Sequence, residues 1–470
     1  MILGRTPTPS RGVHRGAVLA LLTLAGVSLG QQPVRAATIT VNSTADNTTA
    51  GDDHCTLREA IANVNAGDDT TGGDCTAGTG SGDTIVFNLT LPATITLTTN
   101  TELEIDTGVT INGPTTGVLA VDGNGQVDVF DITNGTVSIA NLTIQNGLGS
   151  DGGGIYNDAR LTLTSCTLSG NSGDDGGGVY NDIGGTATLT NCTLSGNSAP
   201  DDHGGGGVYS DGALTLSGCT LNGNSGVDGG GVYNDVSGTA MLTNCTLSAN
   251  SASDDVGGGG VYSDGTVALT NCTLNGNSAP TSNGGGLYND SDGTLTVTNT
   301  IVANSPSGGN CAGFGGVTDG GHNLDSDGTC GVGPATNPML DPAGLANNGG
   351  PTQTIALQAG SPAVNAGDES VCSAPPVNNL DQRGYVRPGA GATSCSIGAY
   401  EYNAVPASPT PCVGDCNGDG TVTVDDILTM VNITLGNTSV TTCEAGDANH
   451  DGQITVDEIL TAVNNALNGC

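Results

Sequence analysis

Five cysteines, Cys166, Cys192, Cys219, Cys245 and Cys272, follow one another at spacings of 26, 27, 26 and 27 residues, so that alternate members lie 53 apart. Six tyrosines keep step with them, each after a glycine run: Tyr156, Tyr180, Tyr209, Tyr233, Tyr262 and Tyr288. A period of roughly 20 to 50 residues specifies a stacked solenoid, in which each unit buries its apolar face only against its neighbours. This overrides the soft length rule that would divide 470 residues into two or three separate domains.

One unit reads Gly-Gly-Gly-Val-Tyr-Asn-Asp (176 to 182), then Ala187-Thr-Leu-Thr-Asn-Cys-Thr-Leu-Ser-Gly-Asn-Ser198. Ala187, Leu189, Cys192 and Leu194 alternate with polar residues, with a change of phase at Asn191, which marks two short strands joined by a bend. Asparagine suits that bend because it tolerates left-handed backbone. Asn141, Asn191, Asn244, Asn271 and Asn299 recur there, while Asn171, Asn197, Asn224, Asn250, Asn277 and Asn304 recur near the unit's end, as in-register side-chain ladders would require. No 3.6-residue apolar stripe is visible, so the expected fold is all-β, a parallel β-helix with one coil per unit.

Composition bounds the chemistry. Arg5, Arg11 and Arg15 precede an apolar run from Ala17 to Leu29, so residues 1–36 read as a secretory signal and the mature chain is expected to start near Ala37. No later stretch is long and apolar enough to span a bilayer, so a secreted, extracellular or cell-surface location is expected. All eight basic residues are arginines, four of them in the leader, against 46 acids. Phosphate binding needs clustered Lys or Arg, so nucleic acid and anionic membranes are poor partners, whereas divalent cations suit the balance. Among the 15 cysteines, Cys55 with Cys75, Cys311 with Cys330 and Cys372 with Cys395 read as local pairs, and Cys412, Cys416, Cys443 and Cys470 as a C-terminal set. The five repeat cysteines read as a stacked column of buried thiols.

Residues 100 to 305 resemble the right-handed parallel β-helix repeats of the pectin-lyase-like superfamily, particularly the Gly-Gly-x-x-Tyr-Asn coils of polymorphic outer-membrane and adhesin-like proteins. Such a resemblance specifies fold far more than activity. Ahead of it, Leu57, Ala60, Ile61 and Val64 fall at helical spacing in a string similar to the signature of the CSLREA family, with Thr56 in the serine position. A helix covering the first coil is expected, with Arg58 on its surface. Behind the repeats, Asn347-Asn-Gly-Gly-Pro-Thr-Gln-Thr354, Gly360 to Gly367, Asp381-Gln-Arg-Gly384 and Ile397 to Glu401 resemble the choice-of-anchor Q domain, in the family's order. That domain closes a β-helix, which implies ion-pair roles for Arg383 and Arg387.

The readable chemistry lies beyond a proline-bearing linker. Asp415 to Asp426 and Asp447 to Glu458 match at an offset of 32, each as a twelve-residue calcium loop: oxygen ligands at positions 1, 3 and 5, glycine at 6, an acid at 12. The expected ligands are Asp415, Asn417, Asp419 and Asp426 for one Ca2+ ion, and Asp447, Asn449, Asp451 and Glu458 for a second. The carbonyls of Thr421 and Gln453 complete the sites, with Thr423 and Thr455 acting directly or through water. One amphipathic helix follows each loop, at Ile427, Leu428, Val431, Leu435 and at Ile459, Leu460, Val463, Leu467. Residues 412 to 470 thus resemble type I dockerins, which implies a cohesin-like or cell-surface tethering partner. The usual small hydroxyl residues at recognition positions 10 and 11 are replaced here by Val424-Asp425 and Val456-Asp457.

The expected organisation is a leader (1–36), an N-terminal cap (37–100), the β-helix (101–305), a C-terminal cap (306–402), a linker (403–411) and the calcium module (412–470). Two functions remain open. One is a secreted or surface-tethered, adhesin-like or carbohydrate-contacting scaffold without catalysis. The other is a polysaccharide lyase or glycoside hydrolase carried on a dockerin, for which Asp201 and Asp202, beside Asp174-Asp175 and Asp254-Asp255, are the visible carboxylates. Those acid pairs recur in equivalent loops, whereas a catalytic site is singular, and Arg160 is the lone basic residue of the repeats.

Overall fold

The computed structural model describes residues 35–470 except 202, 255, 281–282, 408–411, 418–420, 450 and 469–470. Nearly all of the leader therefore lies outside the described residues, as do Asp202 and Asp419 among the expected site residues.

Short strands wind into a parallel β-helix whose coils stack into sheets of eleven, ten, nine and five strands among the described residues. The register is strict: Leu189 faces Leu216, Leu194 faces Leu221, and Tyr180 faces Tyr209. This follows from alternation, because a slip by one residue would turn every inward leucine toward solvent. Leu163, Leu189, Leu216, Leu242 and Leu269 are at most 1% exposed and form one continuous core with the leucines of the neighbouring strands.

The five repeat cysteines are free and buried between the two strands of each coil. Each thiol donates to the carbonyl two residues back, as Cys192 does to Thr190 at 3.3 Å. Burial pushes the Cys219 and Cys245 thiols far above their usual range, so the column acts as small hydrophobes rather than nucleophiles. The six tyrosines stack with ring centroids 4.9 to 5.5 Å apart and planes within 16° of parallel.

The bend asparagines Asn141, Asn191, Asn244, Asn271 and Asn299 all have φ between 50° and 57°, and Ser165 and Gly218 fill the same position in the two remaining coils. A second ladder runs through the interior. Asn171, Asn197, Asn224 and Asn250 each donate from Nδ2 to the Oδ1 of the next asparagine, ending on Asn277. Asn304, expected in this row, lies outside it: the register pairs Ala303 with Asn275, so Asn304 takes the left-handed position of Gly276, one residue short of Asn277, where it is exposed at φ 57° and bonds Asn275. Asn224 Oδ1 accepts from both the backbone and side-chain nitrogens of Asn197, so Asn224→Ala orphans two buried donors. A loss of about 2 to 3 kcal/mol is expected, read as a lower melting temperature of the full chain.

Helix α1 (Leu57–Ala66) buries Leu57, Ala60, Ile61 and Val64 in the core cluster of the first coils, and the disulfide Cys55–Cys75 fastens it. Arg58 is not a free surface residue: its side chain is 14% exposed, pairs with Asp46 at 2.6 Å and donates to the carbonyls of Thr101 and Glu102. Burial raises the Asp46 carboxyl, yet the Arg58 guanidinium and the amides of Thr98 and Thr99 outweigh it and hold the group below its usual value.

At the far end Cys311–Cys330 clips the last coil, and helix α2 (Glu369–Ser373) carries one half of the Cys372–Cys395 disulfide. The segment 346–402 turns back along the bend column. Asn299 exchanges hydrogen bonds with the Asp368 backbone, Asn244 donates to Leu380 O, and Gln382 bridges Thr220 and Thr246. Arg383 pairs with Asp381 at 2.6 Å between the rings of Tyr385 and Tyr400, and Arg387 pairs with Glu401 at 3.3 Å with both side chains wholly buried.

Candidate functional site

The two expected calcium loops precede helix α3 (Val424–Thr434) and helix α4 (Val456–Asn468). Position 12 is equivalent in both. Asp426 accepts from the N–H of Cys416 at 3.2 Å and from Thr423 N at 2.9 Å and Oγ1 at 2.6 Å. Glu458 does the same with Ala448 N at 2.9 Å and with Thr455 N at 2.7 Å and Oγ1 at 3.0 Å. The closing carboxylate thus pins the start of each loop and serves as the capping residue of the helix behind it. Burial raises the Glu458 carboxyl, but the N–H and hydroxyl of Thr455 and the amides of Asn449 and Ala448 together outweigh it and hold the group below its usual value.

Within the second loop, Asp447 accepts from Asp451 N and Gly452 N, Asn449 Oδ1 from Asp451 N, and Asp451 Oδ1 from Gln453 N. These hydrogen bonds fold the loop into successive tight turns, and Gly452, at φ 82°, supplies the left-handed turn at position 6. Gln453 is exposed, as is Thr421 in the first loop. Asp415, Asp426, Asp447 and Glu458 are each between 4% and 7% exposed, burial that carboxylates accept only when partnered. Among the described residues no three His, Cys, Asp or Glu side chains converge into a ready shell, and this includes Asp447, Asp451 and Glu458 of the second loop; Asp419 of the first lies outside the described residues. The all-oxygen set fits a hard divalent cation such as calcium.

The Cys416–Cys443 disulfide crosses between the loops, and Cys412 is also disulfide-bonded. Met430, Ile433, Val422, Ile454 and Ala462 form the module's core. The leucines expected on the apolar faces stay outside it: Leu428, Leu435, Leu460 and Leu467 are 53%, 69%, 60% and 78% exposed, as are Val424 and Val456. The 32-residue duplication therefore displays two equivalent apolar stripes.

On the solenoid, Asp201 is exposed and its charge, after slight burial, raises the Asp174 carboxyl. His203 Nδ1 lies 2.8 Å from Asp228 Oδ2, and its ring leans over Tyr233 at 6.3 Å. The structure thus gathers Asp174, Asp201, His203 and Asp228 from successive coils on one loop face.

A second acidic group is more enclosed. Glu102, Asp128, Asp131 and Asp151, with Ser150 and Tyr156, line a cleft of about 290 Å³ at the N-terminal end of the tyrosine stack. Burial first, then the charges of Glu102 and Asp131, raise Asp128 to about 7; burial and the charges of Glu102 and Glu104 raise Asp131 to about 6. The strand register carried the signal for this cleft: Glu104, Asp131 and Tyr156 occupy one column, so the tyrosine row turns acidic at its start. Because the folded group holds its proton from the ordinary carboxylate range up to about 7, Asp128 costs increasing stability as pH rises through that window. Asp128→Asn is expected to raise the melting temperature at pH 8 and leave it unchanged at pH 4.

Among solved structures, one titled "Crystal structure of pectate lyase Pel9A" is similar at 15% identity and a TM-score of 0.46, covering 78% of this chain and 96% of that one. No curated protein matches the chain. Two protein families do: "Right handed beta helix region" over residues 129–305 and "Dockerin type I domain" over residues 413–468. The chain therefore joins a right-handed parallel β-helix to a small helical C-terminal region that matches the type I dockerin family.

Proposed function

We propose that the protein is an exported, surface-tethered β-helix scaffold whose C-terminal module binds two calcium ions and docks on a cohesin-type partner. Type I dockerin domains bind calcium and cohesins as a class. The observation that carries the reading is the doubled arrangement of Asp426 and Glu458, each closing a loop of oxygen donors, behind which identical stripes of exposed valine and leucine stand unburied. In each loop the residues at positions 1, 3, 5 and 12 hold the ion, and calcium supplies charge compensation that fixes the two helices relative to each other. Residues 306–402 act as the anchor-side cap, in line with their choice-of-anchor Q resemblance, and the CSLREA-like helix as the opposite one.

The test is binding of the full chain to an immobilised type I cohesin with calcium and with EDTA. Calcium-dependent binding that Leu428→Asp with Leu460→Asp weakens at least about a hundredfold is expected, since apolar anchors dominate such interfaces. Binding indifferent to calcium, or no binding to any cohesin offered, would sink the docking claim.

One observation favours a second reading, a polysaccharide hydrolase. In the N-terminal cleft Asp128, raised to about 7, is a carboxylic acid able to donate a proton near neutral pH beside other carboxylates. New reducing ends from a glycan panel that vanish with Asp128→Asn would establish it. Activity lost with Asp201→Asn instead would move the site to the loop face.

A further inference from the structure

We propose that the seam between the solenoid and its returning C-terminal segment holds a subsite for one neutral sugar ring, independent of the calcium loops. A cavity of about 230 Å³ opens there, walled by Asn191, Ser217 and Asn244 on the solenoid side and by Pro351, Pro376 and Val377 on the other.

The cavity exists because the bend column is interrupted. Asn299, Asn271 and Asn244 spend their side-chain amides on the returning segment, bonding Asp368 O, Cys372 Sγ and Leu380 O. One coil further on the column has Gly218 in place of asparagine, at φ 66°, and a Cβ there would lie 2.5 Å from Asn191 Oδ1. An asparagine at 218 would fill the space, so its absence makes the hole.

The wall chemistry is specific. The Asn191 carboxamide and the Ser217 hydroxyl make no hydrogen bond to the protein among the described residues, and the buried Asn244 Oδ1 has none either. Unmet polar groups of this kind in a cavity call for a ligand or water with both donors and acceptors. The two charges nearby do not add to the demand, because Asp381 and Arg383 neutralise each other through bonds of 2.6 and 2.9 Å. From the returning segment Pro351, Pro376, Val377 and Leu380 add apolar lining beside the polar Asn378 and Gln382. Hydroxyls on one edge and a C–H face on the other describe a neutral pyranose, and the volume lies below the roughly 300 Å³ at which drug-sized pockets begin.

The experiment is saturation-transfer-difference NMR on the full chain with the methyl glycosides of glucose, galactose, mannose and xylose, with the methyl glycoside of galacturonic acid, its carboxylate free, as charged control, in calcium and in EDTA. At least one neutral glycoside is expected to bind at millimolar concentration in both conditions. Gly218→Asn, whose backbone conformation its asparagine neighbours already adopt, and Asn191→Ala should each weaken that binding at least about tenfold. Asn191→Ala removes only a side chain without protein partners, so it carries the test should the other variant fold poorly. No neutral binding, binding unchanged in both variants, or a response to galacturonate alone would each overturn the proposal.

Discussion

Glu458→Ala is expected to lower calcium affinity at the second loop by at least about a hundredfold and to loosen helix α4. Residues that merely orient metal ligands typically cost 10 to 100-fold when removed, and this one is proposed for the bidentate position itself. The side chain has a second task in the fold, since it accepts from the amides of both Ala448 and Thr455. Its loss therefore frees the start of the loop and uncaps the helix at once. Asp426→Ala should do the same at the first loop through Cys416 and Thr423. The Cys416–Cys443 disulfide shortens the unfolded module, so the expected outcome is a calcium-poor but still compact segment rather than a random coil. Helical circular dichroism with and without calcium, under oxidising and reducing conditions, reads these effects apart. If the variant bound calcium as tightly as the parent, the closing acid would have no ligand role.

Arg387→Ala is expected to cost about 3 to 5 kcal/mol, because it strands the buried Glu401 charge. The guanidinium is fully buried, bonds Ser396 O at 2.8 Å and Gly398 O at 2.6 Å, and faces a Glu401 that also accepts from Ser396 and Gly389. These contacts hold the segment that lays Gly398 and Ala399 against Asn299 and Thr273 of the last coils. Arg387→Met combined with Glu401→Leu removes both charges and should recover most of the loss, since an apolar pair of similar volume is often as stable as a buried ion pair. A single variant within 1 kcal/mol of the parent in chemical denaturation would contradict this account of the cap.

What could be read in advance follows from physical range. The coil was legible because parallel stacking places equivalent residues one unit apart, so Cys192 and Cys219, or Tyr209 and Tyr233, repeat in the chain as they repeat in space. The candidate calcium loops stood out as a pattern because all their proposed donors fall within twelve consecutive residues. The acidic cleft was hidden because Glu104 and Asp131 share the tyrosine column without sharing its residue type. The seam was hidden for a different reason: Asn244 meets Leu380 across 136 positions, and no local pattern encodes so long a return. The exposed Leu428 and Leu460 carry a third lesson. Helical spacing identifies an apolar stripe, but not whether the chain itself or a partner covers it.

Calorimetric titration of the full chain with calcium tests the central claim most directly. The account predicts two ions bound per chain, falling to one with Glu458→Ala and to none when Asp426→Ala is added. No calcium binding up to millimolar concentration, or a stoichiometry unchanged by both substitutions, would contradict it.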